Sequence, residues 1–374
     1  MARPVINSLS NGVYVERLQR AQQELEKQGV DLLLIGPGSD LFYLTGFVAH
    51  LSERLNLLGV PRSGKPFLIL PVLEAPNARD QADLVDIHAW EETAHPAELA
   101  AKLAGMVEGK TLAVGDQLWS VFLLRLQQEM PGGNWIPSLD VMRALRMSKD
   151  RHEVDVMREV SRRTDEAWGE FLEGGPISGL TESEAMHRLQ SLMQKRGLVG
   201  GFGICASGPN SASPHYHTGD RLIQQGDVVI FDWGGTLEGY KSDITRTVVV
   251  GEPTDEFRKV YDIVARANQA TLDIVKPGVP CEDLDKAARD IITEAGYGPQ
   301  FLHRVGHGLG LDTHEEPYLV NGNKTPLQAG MVFSDEPGIY IEGHFGVRIE
   351  DAVVCTESGG VRLNEASRAI TVMD

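Results

Sequence analysis

Two distant stretches of this sequence carry the same signature, a short apolar strand that runs into an acid. Gly226-Asp-Val-Val-Ile-Phe-Asp232 and Gly330-Met-Val-Phe-Ser-Asp-Glu336 each start on a glycine and reach a carboxylate six residues later. A second strand follows each and carries a further acid, Asp243 and Glu350. A carboxylate taken out of water has to be paired, hydrogen-bonded or bound to a cation, so strands are costly places for four of them. Two copies of a strand pair, each offering two carboxylates, predict a two-fold pseudo-symmetric unit with a site on its axis.

The local sequence supports a shared site. Asp232 follows four consecutive apolar residues, Val228 to Phe231, which buries its backbone. Asp243 lies across a connection containing Gly234, Gly235 and Gly239, as a hairpin loop would, so both carboxylates can point into one space. Glu336 precedes Pro337–Gly338 at a strand end, and Glu350 is flanked by Val347, Ile349 and Val353. His307 sits in Val-Gly-His-Gly-Leu-Gly-Leu, where glycines let the backbone approach something closely. That run lacks both the spacing and the strand–helix frame of a dinucleotide fingerprint.

Four carboxylates in one place repel too strongly to stay ionised alone. Two divalent cations balance them, and in such sites the ions lie about 3.5–4 Å apart and bridge a water whose lowered pKa supplies hydroxide at neutral pH. Oxygen-rich ligation with a single imidazole suits Mn²⁺ or Co²⁺ better than Zn²⁺. Any one acid alone is more often structural; the set carries the expectation. His303 and His314 bracket His307, and His215 lies in SASPHYHTGD, so all three are candidates for donating to a developing oxyanion or to a departing amine. His217 reads as an ordinary loop residue. Arg348, two residues from Glu350 on the same strand face, is a candidate for holding a ligand carboxylate, with a plain ion pair as the alternative.

The chain length of 374 residues calls for two domains. The first part reads α/β: a helix over Tyr14–Gln28, strands at Asp31–Gly36 and Pro66–Val72, and helices near 96–108 and 120–128. A charged segment, Arg146 to Glu159, opens a helix with apolar Val154, Met157 and Val160. It places the boundary near Ser148, giving domains 1–148 and 149–374. Beyond it Thr181 and Glu184 form a capping box for a helix reaching about Arg196. Strands are expected over 228–235, 244–251, 331–338 and 346–355, and helices over about 255–275 and 281–295. This is an α+β sheet covered on one face. A net charge of −18 disfavours nucleic acid and anionic membranes, which carry the same sign. Cys205, Cys281 and Cys355 are an odd number without short spacing, the N-terminal stretch lacks a signal pattern, and no apolar run reaches about 18 residues. A cytoplasmic enzyme is expected.

PHYH (214–217), DWGG (232–235), SDITRT (242–247), HRVGHGLGLDTHEEP (303–317), SDEPGIY (334–340) and VRIED (347–351) resemble the metallopeptidase family of prolidases, aminopeptidase P and methionine aminopeptidase. DLLLIGPGSDLFYLTGF (31–47) resembles the N-terminal domain of the prolidase and aminopeptidase P branch. The resemblance implies a pita-bread catalytic domain behind a smaller creatinase-like α/β domain. It implies Asp232, Asp243, His307, Glu336 and Glu350 as metal ligands, with Asp243 and Glu350 bridging both ions, Asp232 serving one, and His307 and Glu336 the other. His215 and His314 then match the substrate and transition-state histidines, and His303 the substrate end of the site. Homodimers are common in the family. The implied substrates are short peptides with proline after the scissile bond, whose imide nitrogen has no hydrogen to offer. Some prolidases carry a carboxylate-clamping arginine shortly after EPGIY or HEEP; here Tyr340 leads to Gly346 without one, and Tyr318 follows Pro317. Arg54 and Arg62 are candidates in its place. An Xaa-Pro dipeptidase, an Xaa-Pro aminopeptidase for longer peptides, and a creatinase-like hydrolase of small amides or amidines remain open, with a non-catalytic binding module behind them.

Overall fold

The computed structural model of the protein describes residues 11–374. The chain divides into two compact units, one ending at Arg146 and the other running from Met147 to Asp374. No helix among the described residues is long and apolar enough to cross a membrane.

The first unit is built on a six-stranded sheet in the order Asp86–Trp90, Phe67–Pro71, Leu57–Pro61, Leu32–Ile35, Thr111–Val114, Asn134–Pro137. Leu57–Pro61 runs antiparallel to both its neighbours, and the remaining neighbours pair in parallel. The helix expected from Tyr14 starts at Asn11 and ends at Gln28. Those expected near 96 and 120 span Pro96–Ala104 and Ser120–Glu129. Arg54 and Arg62 are engaged locally, with Glu92 at 2.7 Å and Asp31 at 3.1 Å.

In the second unit a helix runs over Arg151–Glu173 behind a capping box formed by Asp150 and Glu153. Its inward stripe uses Val156, Met157 and Val160; Val154, expected inside, is only half-buried. The Thr181–Glu184 capping box is present and opens Glu182–Lys195. These two helices cover a sheet ordered Thr371–Met373, Ile244–Val250, Val228–Leu237, Val199–Ser207. Trp168 and Phe171 from the first helix meet Phe231 and Trp233 from the sheet, at ring separations of 4.6–5.4 Å. Helices Asp255–Ile274 and Cys281–Glu294 share a core with the second sheet, ordered Glu315–Leu319, Gly306–Gly308, Val332–Asp335, Asp351–Thr356, Gly359–Arg362. Phe257, Val264, Leu284, Phe333 and Val353 lie in that core, each worth about 1.5–3 kcal/mol of apolar transfer.

The glycine that opens each copy of the repeated signature does the same job. Gly226 N–H donates to Val250 O at 2.8 Å and Val250 N–H returns to Asp227 O at 2.9 Å. Gly330 donates to Cys355 O at 2.9 Å and Cys355 returns to Met331 O at 2.8 Å. Both glycines have positive φ, +87° and +89°, a conformation that a side chain disfavours.

Two strand expectations need correction. The segment 331–338 is not one strand but two, Val332–Asp335 and Gly338–Ile341, because Pro337 cannot donate to a ladder. The segment 346–355 likewise divides into Phe345–Arg348 and Asp351–Thr356. Glu336 and Glu350 therefore lie at strand breaks, where a side chain is released from the regular alternation of faces.

Candidate metal centre

The carboxylates converge. Asp232 lies within strand Val228–Leu237, opposite Thr245 of the neighbouring strand. The connection turns on Glu238 and Gly239, both with positive φ (52° and 88°), the geometry of a tight two-residue hairpin. It returns the chain so that Asp243 sits just ahead of Ile244–Val250. A Cβ on Gly234 would lie 2.0 Å from Ser242 O, so the glycine lets these strands close up beside Asp243.

His307 is held in a slot made for it. A Cβ on Gly306 would meet Ser334 O at 1.9 Å, and one on Gly308 would meet Glu316 O at 2.3 Å. Only glycines fit on either side of the histidine. His307 N–H donates to Ser334 Oγ at 3.0 Å, its Nδ1 lies 3.1 Å from Gly308 O, and its Nε2 lies 3.2 Å from Glu336 Oε1 and 3.8 Å from Asp243 Oδ2. With Nδ1 against a carbonyl, Nε2 is the nitrogen turned to the acids. Donor atoms of Asp243, His307 and Glu350 lie within 4.8 Å of one another, all three side chains buried.

All five expected ligand residues line one cavity of about 700 Å³, and His215, His303, His314 and Arg348 line it with them. Phe202, Ile204 and Pro214 supply an apolar wall. His217, expected to be an ordinary loop residue, is exposed and lines no part of it. His314 crosses His307 edge-on at a ring separation of 4.1 Å. His303 is pinned at both nitrogens: Nδ1 to Arg304 O at 2.7 Å and Nε2 to the Tyr340 hydroxyl at 2.8 Å. Arg348 does hold a carboxylate, Asp232 at 2.7 Å, and its other nitrogens go to Tyr340 OH at 2.8 Å and Thr245 Oγ1 at 3.0 Å.

Three residues of this network escaped the sequence reading. Thr245 donates to Glu350 Oε2 at 2.6 Å, Ser334 to Glu336 Oε1 at 3.1 Å, and Tyr340 joins His303 to Arg348. Thr245 had a usable signal, since alternation along a strand puts it on the face of Asp243. Tyr340 had none.

The electrostatics describe a cluster that wants positive charge. Burial pushes the Asp243 carboxyl well above its usual range, and Asp232 and Glu336 push it further. Burial does the same to Glu350, with Asp243 adding to it. Asp232 is raised by burial and by Glu336, with Arg348 resisting. Glu336 goes the other way, because its hydrogen bond to His307 and that ring's charge outweigh its burial. Asp232 Oδ1 is buried without any hydrogen-bond partner, a state that costs about 1–3 kcal/mol unless something fills it. Burial lowers His314 to about 4, with His307 and Arg304 assisting. Orphaned oxygen, mutually repelling carboxylates and one imidazole together fit divalent cations.

Residues 155–357 match the family described as Metallopeptidase family M24, and residues 17–148 match the Creatinase/Prolidase N-terminal domain. A Mycobacterium tuberculosis protein named probable dipeptidase PepE is 38% identical over 369 residues, 96% of this chain and 97% of its own. The Xaa-Pro dipeptidase of Lactobacillus delbrueckii subsp. lactis is 34% identical, covering 95% of this chain and 98% of its own. The crystal structure of the prolidase from Thermococcus sibiricus superposes with a TM-score of 0.93 at 37% identity, covering 98% of this chain and all of that one. Fold and site together define a pita-bread metallohydrolase behind a creatinase-like domain. The chain belongs to metallopeptidase family M24, in its prolidase and aminopeptidase P branch.

Proposed function

We propose that this protein is an Xaa-Pro dipeptidase of the prolidase type, hydrolysing the bond before proline with two divalent ions, manganese first among the candidates. The observation that carries the reading is the convergence of Asp232, Asp243, His307, Glu336 and Glu350 on a single cavity. In this reading Asp232, Asp243, His307, Glu336 and Glu350 would hold the ions. Bound there, the ions supply Lewis acidity and a water of lowered pKa. The chain's own residues do the rest. Arg348 holds Asp232 in place while spending its remaining donors on Tyr340 and Thr245. His314, kept neutral by burial, offers an N–H to the substrate carbonyl without the cost of a second cation beside the metals. His215, at the cavity's exposed side, is placed for the same task. His303 has both nitrogens occupied, so it walls the substrate end rather than carrying a proton.

Recognition through the carbonyl suits a bond whose nitrogen bears no hydrogen. Retention of all five metal-binding side chains weighs against a metal-free creatinase-like amidohydrolase and against a non-catalytic module. The relatives named Xaa-Pro dipeptidase and prolidase favour the dipeptidase over the longer-peptide aminopeptidase. The reading includes the boundary at 148/149, a homodimer, and a cytoplasmic setting supported by three free, buried thiols.

Chelated and dialysed protein, reloaded with Mn²⁺, Co²⁺ or Zn²⁺, should hydrolyse an Xaa-Pro dipeptide faster than an Xaa-Pro-Xaa tripeptide, and Mn²⁺ should restore the most activity. A chelated preparation with full turnover, or a tripeptide preferred over the dipeptide, contradicts it.

A further inference from the structure

The helix Glu182–Lys195 opens with two acids that do different work. Glu184 closes the capping box with Thr181. Glu182 turns away from the cap and is wholly buried, where a carboxylate has to be paired or hydrogen-bonded. Its Oε1 accepts from Ser207 N–H and Ser207 Oγ, both at 2.7 Å, and from Asn210 Nδ2 at 3.0 Å. Its Oε2 accepts from Gly219 N–H at 3.3 Å. Positive charge reaches it through one hydroxyl: Arg221, paired with Asp227, donates to Ser207 Oγ at 2.6 Å.

These donors bracket one segment. Ser207 and Gly219 stand at the two ends of the stretch that carries His215 to the cavity, while Glu182 itself lines no part of it. Asn210 hands the connection on to Tyr216 OH at 2.8 Å, next to His215. Burial, then the neighbouring Glu182, raise the Tyr216 hydroxyl above its ordinary pKa, so it keeps its proton. On the other side Gly346 N–H donates to Ser211 Oγ at 2.9 Å, and Arg348 reaches Pro214 O at 3.5 Å. The His215 ring has no hydrogen bond among the described residues, so the backbone on either side of it sets its place. Glu182 ties both flanks of that backbone to one group.

We propose that Glu182 is a positioning residue: by gathering both ends of the 207–219 segment on a buried carboxylate, it holds His215 where its donation to the substrate carbonyl requires. The inference rests on the Xaa-Pro peptidase reading above and on the task given there to His215.

The test is a double-mutant cycle on Mn²⁺-loaded full-length protein with an Xaa-Pro dipeptide as substrate. Glu182→Gln leaves one acceptor oxygen where two are used, and should lower kcat/KM by about 30-fold, in kcat rather than KM, as a displaced reacting group does. In a His215→Ala background the same substitution should change kcat/KM by less than about twofold, because the group it acts through is gone. Glu182→Asp, which keeps the charge, should recover to within about fivefold of wild type. Bound Mn²⁺ per chain should be equal in all of them. If Glu182→Gln does not fold, Asn210→Ala, at a half-buried position, takes its place: a loss of about fivefold by itself and none in the His215→Ala background. An equal loss with and without His215 overturns the inference, since a general loosening acts in both. So does a Glu182→Gln variant with wild-type activity, or one that loses Mn²⁺, and in either case the peptidase reading stands. A wild type that leaves the dipeptide uncut overturns that reading, and the inference with it.

Discussion

The two copies of the strand signature begin alike and end differently. Their opening glycines make equivalent hydrogen bonds, which aligns Val250 with Cys355. Counted back from those residues, Asp243 lies seven positions away and Glu350 only five. The second acids of the two halves are therefore not equivalent; the position matching Glu350 is Thr245, and the one matching Asp351 is Arg246. These matched residues meet each other. Thr245 and Glu350 form an isolated bridge and a 2.6 Å side-chain hydrogen bond, and Arg246 pairs with Asp351 at 2.7 Å, almost fully buried. Identical charged side chains at 246 and 351 would set like charge against like charge in a buried place. The junction is complementary while the backbone frame is common to both halves, and each half brings two acids to the cavity.

The largest effect should come from the acids. Asp243→Ala and Glu350→Ala should each cut turnover by at least about 1000-fold and lower bound Mn²⁺ per chain, measured by elemental analysis. If one variant keeps near-normal activity, the halves do not contribute jointly and the comparison fails.

The opening glycines separate the halves on stability. A Cβ on Gly226 would meet nothing within 4 Å, whereas one on Gly330 would lie 2.5 Å from the Lys149 carbonyl oxygen. Gly226→Ala should cost only its backbone strain, about 1 kcal/mol, and Gly330→Ala about 3 kcal/mol or more, by urea unfolding. Equal losses would mean that the second glycine's close approach carries no weight.

Thr245→Val removes the hydroxyl that joins Glu350 to Arg348 at the junction. A loss of about tenfold in Mn²⁺ affinity or activity is expected, since partners that orient a ligand typically matter by 10- to 100-fold. An unchanged affinity would show that the matched position serves packing alone.

The smallest effect concerns pH in chelated protein. Folded-state pKa values of Asp243 and Glu350 are raised by burial, so the native state binds more protons than the unfolded chain and loses stability as pH rises. His314 has the opposite sign, its folded pKa of about 4 adding stability as pH climbs towards the unfolded value of about 6.5. Above about pH 6.5 only the carboxylates remain. There the chelated protein's Tm should drift down by a few degrees, roughly 1 kcal/mol, and the gain from Mn²⁺ should grow. A Tm that climbs with pH over that range would show that the acids are not desolvated.

Much of this site was legible because its cost is local. Acids placed after apolar runs, and a histidine between glycines, are conspicuous wherever they fall, and the order of motifs carried the family. The strand breaks differ in this respect: Pro337 marks the first in the sequence, whereas the second, at Ile349–Glu350, depends on which strand each half pairs with.

The sequence by itself determined that four carboxylates and an imidazole would be drawn into a low-dielectric interior, because their apolar neighbours leave no alternative. Tertiary structure decided which of them face one another. Register, the offset of two positions between the halves, and the partners taken by Thr245, Tyr340 and Arg348 all depend on contacts between residues distant in the chain. Those contacts have no energy until the sheets have formed, so no local pattern could encode them.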